Sequence, residues 1–233
     1  MKALIVIAHP EPLSMNHSMM AVMIEQLMLH GWSVEISDLY ADGFIMAPST
    51  ADFSRRSNPL RFSLAHEQRN ASVSNSYHQE ILSQQNVVKD ADLIIFQFPL
   101  WWYSVPAILK GWVERVLGNG FAYDDEHMFE NGLLKGKRAM LSLTTGATRE
   151  ELIADSNYTG SIEQMLKPFI GGVLKFCGIN LAATFIAPAV SRMNKNDIEN
   201  MLKSLRLEVD RVVTNYPNEN WIESTNTSLF ETI

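Results

Sequence analysis

The sequence predicts a doubly wound α/β fold, a five-stranded parallel sheet in the order 2-1-3-4-5 with helices on both faces. Three observations carry that expectation. The chain opens on KALIVIAH at 2–9, a short β-branched apolar run of the kind that forms a central strand buried on both faces. Strand-like and helix-like patterns then alternate five times, as a parallel sheet with crossover helices requires. The 233 residues, 46% of them hydrophobic, are enough to cover both faces of such a sheet in one domain spanning 1–233.

Each element follows in order. Met19, Val22, Met23, Gln26 and Leu27 recur at helical spacing up to Gly31, and 33–39 (SVEISDL) returns to alternation. The third strand is 93–99 (LIIFQFP). The helix after it carries Val105, Ile108, Leu109, Trp112, Val113 and Val116 on one face, with Pro106 suited to its first turn and Gly118 to its end. A fourth strand at 138–145 (RAMLSLTT) leads to a helix within 161–176, where Pro168 implies a late start or a kink. Residues 180–187 read as the fifth strand. The last helix, about 195–214, has Ile198, Met201, Leu202, Leu205, Val209 and Val212 on one stripe, before an irregular tail from about 216. Residues 40–77 form a long polar segment without a persistent period, which reads as a functional or a disordered excursion.

Composition narrows the function classes. A net charge of -7 without a basic stripe argues against nucleic acid. Cys177 is the only cysteine, so an intrachain disulfide and a thiolate metal cluster are both ruled out, and a reducing cytoplasm suits the chain best. No apolar run reaches the length of a membrane span, and the N-terminus lacks the features of a signal peptide. The histidines show no metal-ligand spacing, so no metal is expected. Ser142 stands outside any G-x-S-x-G elbow, which leaves a serine hydrolase without support.

In such a sheet ligands bind beyond the carboxyl ends of strands 1, 3 and 4, so the loops at 9–18, 99–104 and 144–160 should converge. The first, HPEPLSMNHS, lacks the glycine pattern of the P-loop and of the dinucleotide fingerprint. Ser14, Asn16 and Ser18 nevertheless sit where a helix begins, and free N–H groups with hydroxyl and amide donors there can hold phosphate. His9 could add a hydrogen bond. Ser14 or Asn16 could equally cap the helix, and the two roles can coexist. The second loop sets Pro99, Leu100, Trp101, Trp102 and Tyr103 at the crevice, as the wall of a flat ligand such as an isoalloxazine or as core or dimer residues. In the third, TTGAT at 144–148, Thr144 and Thr145 offer hydroxyls and Gly146 permits close backbone approach. N–H groups there could meet negative charge on a reduced ring.

Several blocks in fixed order resemble one family: ALIVIAHPEP with SMN, SDLYA at 37–41, ADLIIFQFPLWWYSVPAILKGWVERVL at 91–117, GFAY at 120–123, LSLTTGAT at 141–148 and KFCG at 175–178. They resemble the NAD(P)H:quinone oxidoreductases of the DT-diaphorase type and their bacterial relatives, which have a flavodoxin-like fold. The resemblance implies a homodimer with non-covalent FAD in each subunit. It also implies NADH or NADPH as reductant, a quinone or other aromatic acceptor, and two-electron hydride transfer by a ping-pong course through one pocket at the dimer interface. By motif position, His9, Ser14, Met15, Asn16 and Ser18 correspond to cofactor phosphate and ribose contacts. Pro99 to Tyr103 and Thr144 to Ala147 surround the ring. Trp102, Tyr123, Asp125 and Phe176 correspond to the substrate pocket, Phe176 being contributed by the partner.

The departures from the family fall around the reacting ring. Its tyrosine and histidine after strand 4 are replaced, with Leu152 or Ile153 near the tyrosine position, Thr159 near the histidine position and Tyr158 a possible substitute. The catalytic group expected here is therefore Gly146, Ala147, Tyr158 and Thr159, with backbone donors carrying most of the effect. Asp125 stands for a second pocket tyrosine, and Gly171 and Lys175 stand near the metal-ligating histidines of one branch. Two other roles share these features, an FMN electron carrier and a flavin-bearing regulatory subunit of a membrane transporter.

Overall fold

The structure is a computed structural model that describes residues 1–153 and 160–215. Five parallel strands, β1 (Lys2–Ile7), β2 (Ser33–Asp38), β3 (Leu93–Pro99), β4 (Arg138–Thr144) and β5 (Asn180–Ala187), form one sheet in the order β2-β1-β3-β4-β5. The order and the strand positions agree with the sequence reading. Described helices are α1 (Met15–Leu29), α2 (Leu64–Ser74), α3 (Gln79–Asp90), α4 (Ala107–Val116), α5 (Arg149–Ile153), α6 (Ile162–Phe169) and α7 (Lys195–Thr214). No helix among the described residues is long and apolar enough to cross a membrane.

The apolar run of β1 is unbroken because both of its faces are covered. Leu4, Val6 and Ala8 join a core with Phe96, Phe98 and Trp112, while Ala3 and Ile5 join the opposite one with Met19, Met23, Leu205 and Val209. The α1 helix stops at Gly31, whose φ of +75° lets the Trp32 N–H return to the Leu27 carbonyl at 3.1 Å. Pro168 does not delay the start of its helix. The α6 helix starts at Ile162, its first turn tied by the Ser161 N–H donating to Gln164 at 3.2 Å, and Pro168 stays inside. The chain then widens into a π-helical stretch, Ile170–Lys175, which accommodates an interrupted ladder.

The 40–77 excursion is folded. It holds α2 and a short 3-10 turn at Thr50–Asp52, and it is fastened to α4. Arg115, buried in α4, donates to Asp52 at 2.9 Å and 3.2 Å and to the Ile45 carbonyl at 2.6 Å, pairs with Glu80 at 2.6 Å and stacks over Phe44 at 4.7 Å. Gln68 of α2 adds a 2.7 Å bond to the Glu114 carbonyl. Gly111 lets the excursion come this close, since a Cβ there would lie 1.8 Å from the Met46 carbonyl oxygen. Gly111→Ala should therefore lower unfolding free energy by about 1–3 kcal/mol, read from the denaturation midpoint. An unchanged midpoint would show that the 44–47 backbone can retreat.

Candidate active site

The three expected loops meet at the carboxyl edge of the sheet. At the first, Ser14 caps α1: its Oγ accepts the His17 N–H at 3.4 Å and lies 3.1 Å from His17 Nδ1. His17 Nε2 is 3.2 Å from Asp38 at the end of β2. Ser18 donates to the Ser14 carbonyl at 3.3 Å, and Met15 packs on the core under α1. His9 Nδ1 accepts the Glu11 N–H at 3.1 Å, its ring sits 5.7 Å from that of Trp101, and burial lowers its pKa. The first-turn N–H groups of Met15 and Asn16 have no intrahelical acceptor, so this end of α1 offers donors to an anion.

Asn16 is placed differently from its neighbours. Its side chain turns inward and is buried, donating to Thr144 Oγ1 of β4 at 3.0 Å and accepting from Gln97 Nε2 of β3 at 2.8 Å. It ties the start of α1 to the ends of two strands, so its side chain is committed there. Gln97 escaped the sequence reading, although a lone amide inside LIIFQFP was a visible signal.

In the second loop Trp101 and Ser104 exchange backbone hydrogen bonds at 3.1 Å and 3.0 Å, closing a two-residue turn. Trp102 and Tyr103 occupy its centre at φ of 50° and 58°. Such turns normally take Asn or Gly, and holding a bulky residue there costs about 1–3 kcal/mol each. The outcome is an exposed aromatic platform, with Trp102 95% and Tyr103 55% accessible.

The third loop faces that platform across a cleft of about 510 Å³ lined by Leu100, Trp101, Trp102, Tyr103, Thr145, Gly146, Ala147 and Leu152. Thr145 fixes the loop by accepting the Ala147 N–H at 3.1 Å and donating its own N–H to the Ala187 carbonyl at 3.0 Å. Of the two N–H groups expected to act together, Ala147's is thus spent within the loop, while Gly146 makes no hydrogen bond among the described residues. Among the described residues, and apart from its two chain neighbours, no atom lies within 4 Å of a Cβ placed on Gly146, so a planar group can approach its backbone. Tyr158 and Thr159 lie outside the described residues.

Tyr123 and Phe176 sit elsewhere, with rings 4.9 Å apart, in a second cleft of about 490 Å³ that also includes Leu64, Val113, Leu117 and Cys177. Phe129 packs edge-on against Phe176 at 5.4 Å. Burial raises the pKa of Tyr123 and pushes that of Cys177 up to about 12, so both stay protonated near neutrality. Asp125 is exposed beyond Tyr123. Within one chain, then, the aromatic platform and the Tyr123–Phe176 pair line different clefts. The donor set at α1, the open Gly146 N–H and the flat aromatic wall fit a flavin nucleotide, with phosphate at the helix end and ring in the cleft.

Residues 1–209 match the family model described as flavodoxin-like fold. A ribosyldihydronicotinamide dehydrogenase [quinone] of Mus musculus is 42% identical over 204 residues, covering 87% of this chain and 88% of the relative. NAD(P)H dehydrogenase [quinone] 1 of Cavia porcellus is 40% identical over 181 residues, covering 77% and 66%. Among solved structures, a candidate quinone reductase from Klebsiella pneumoniae superposes with a TM-score of 0.85 at 30% identity, covering 94% of this chain and 86% of that one. With sheet order, crevice loops and relatives in agreement, the chain belongs to the flavodoxin-like NAD(P)H:quinone oxidoreductase family and is an enzyme of that class.

Proposed function

We propose that the protein is an FAD-dependent quinone reductase that works by two-electron, ping-pong hydride transfer. The observation that carries this reading is the shared cleft of an exposed aromatic platform and the Gly146 backbone, beside a helix start that Asn16 ties to Thr144 at the end of β4. Bound flavin would supply the chemistry, accepting hydride from NADH or NADPH and delivering it to a quinone or other aromatic acceptor. The chain's own residues bind and orient. Ser14, Ser18 and the α1 backbone hold the phosphates, Trp101 to Tyr103 support the ring, and the Gly146 N–H meets its polar edge. A single flat cleft admits one further ring at a time, which favours alternating occupancy.

A homodimer accounts for the separated halves of the site. A second copy that brings its Tyr123–Phe176 cleft, with Asp125 at the rim, over the Trp102 platform would cover the exposed rings and shield the reaction from water. Light scattering should give a dimer at micromolar concentration; a monomer would remove Phe176 from the pocket. Chromatography of extracted flavin should give FAD, and steady-state NADPH oxidation with menadione should exceed that of free flavin. FMN or no turnover would overturn the assignment. With backbone donors dominant, Thr159→Ala should slow flavin reduction by NADPH less than about tenfold, under roughly 1.4 kcal/mol of barrier. A thousandfold loss in stopped flow would make Thr159 the family histidine's functional replacement.

A further inference from the structure

We propose that His17 is a positioning residue that couples cofactor binding to a proton: protonated, it turns the Ser14 hydroxyl outward as a donor to the cofactor phosphate, and neutral, it accepts that hydroxyl's hydrogen bond itself. This rests on the FAD reading above. The geometry is a three-member chain, Ser14 Oγ to His17 Nδ1 at 3.1 Å and His17 Nε2 to Asp38 Oδ2 at 3.2 Å, with the His17 and Asp38 side chains only 13% and 22% exposed.

A carboxylate accepts hydrogen bonds only, so Asp38 selects the form of His17 with a proton on Nε2. When the ring is neutral, Nδ1 is bare, and the Ser14 hydroxyl donates to it and not to a ligand. When the ring is protonated, Nδ1–H donates to Ser14 Oγ, which already accepts the His17 backbone N–H. Both acceptor sites of that hydroxyl are then filled from within the protein, and its proton is left for an outside oxygen. The same step puts a cation beside the phosphate. An anion therefore binds the protonated form better, and by linkage its binding draws a proton onto His17.

His17, and not its neighbour His9, completes the chain from Asp38 to Ser14. The charged and titratable groups facing it are Asp38 at the end of β2 and His9 in the loop after β1, with Asp42 beside Asp38 and Glu11 beside His9 one step further out. His9 lies 6.4 Å from His17, but burial lowers its pKa and its Nδ1 already accepts the Glu11 N–H. Asp38 also accepts the Ala41 N–H at 3.1 Å, which holds the carboxylate in place to support the imidazolium.

The test is release of FAD from diluted holoenzyme, followed by flavin fluorescence between pH 5.5 and 8.5, a range in which FAD's diphosphate does not titrate. Wild type should hold FAD about tenfold more tightly at the acid end, the usual effect of one hydrogen bond to an anion. His17→Gln should match wild type within about threefold at pH 8.5 and lose the pH dependence, whereas a merely structural role would weaken binding equally at every pH. Asp38→Asn should move the fall in affinity to lower pH, and the His17 ring signals in proton NMR should move with it. Affinity independent of pH in wild type, or a wild-type profile in His17→Gln, would overturn the proposal while leaving FAD binding intact. Failure of the protein to hold FAD at any pH would overturn the cofactor reading as well.

Discussion

Arg115→Ala is expected to lower the unfolding free energy by about 3–5 kcal/mol, the usual cost of leaving a buried ion pair without one partner. The guanidinium serves the Asp52 and Glu80 carboxylates, a backbone carbonyl and an aromatic face at once, so its removal leaves buried Asp52 without its cation and with only the Ser49 N–H on its other oxygen. Arg115→Lys should recover little, because an ammonium cannot reproduce a planar fork reaching several acceptors. The excursion at 40–77 should loosen first, seen as faster hydrogen exchange around Phe44 and Asp52 than in the sheet. A loss below about 1 kcal/mol would show that the α2 contacts hold the excursion without Arg115.

Asn16→Ala should destabilise the protein even with no cofactor bound. It orphans Gln97 and Thr144 in the buried layer under α1, at about 1–3 kcal/mol for each unsatisfied group. Flavin affinity should fall as well, by about tenfold or more, because the helix end loses its ties to β3 and β4 and its N–H groups lose their aim. The apoprotein's melting temperature separates the two roles. An unchanged value with weakened flavin binding would mean that Asn16 acts by direct contact and that its ties to Gln97 and Thr144 contribute nothing to stability.

The contrast between these two residues explains what the sequence disclosed. Central strands were legible because burial on both faces leaves runs such as KALIVI and LIIFQF with little alternative, and strand alternation then fixes where the crevice must lie. The aromatic platform could be located for the same reason, since 100–104 must follow β3. The α2 and α3 helices were not legible because they bury Glu67, Gln68 and Gln85 beside Ala71, Ile81 and Val88, which erases the apolar stripe that periodicity detects. Glu67 holds its charge there because the Ser57 and Asn58 N–H groups at 2.7 Å and 3.2 Å, with Arg56 nearby, outweigh its desolvation. Nothing in the sequence of α4 marks Arg115 as buried, since its partners Ile45 and Asp52 lie more than sixty residues away. Asn16 falls between these cases. Its place at the helix start was evident, but the inward turn of its side chain depends on Gln97 and Thr144, which only the assembled sheet brings beside it.

The central claim is that one cleft carries two-electron traffic from a nicotinamide to a quinone by way of bound flavin, and anaerobic titration of purified protein with NADPH, followed by menadione, tests it most directly. Flavin absorption bands near one per chain are expected. They should bleach with one NADPH per flavin in the absence of any quinone and return in full with one equivalent of menadione. Absence of flavin bands, or bleaching that requires quinone to be present, would contradict it.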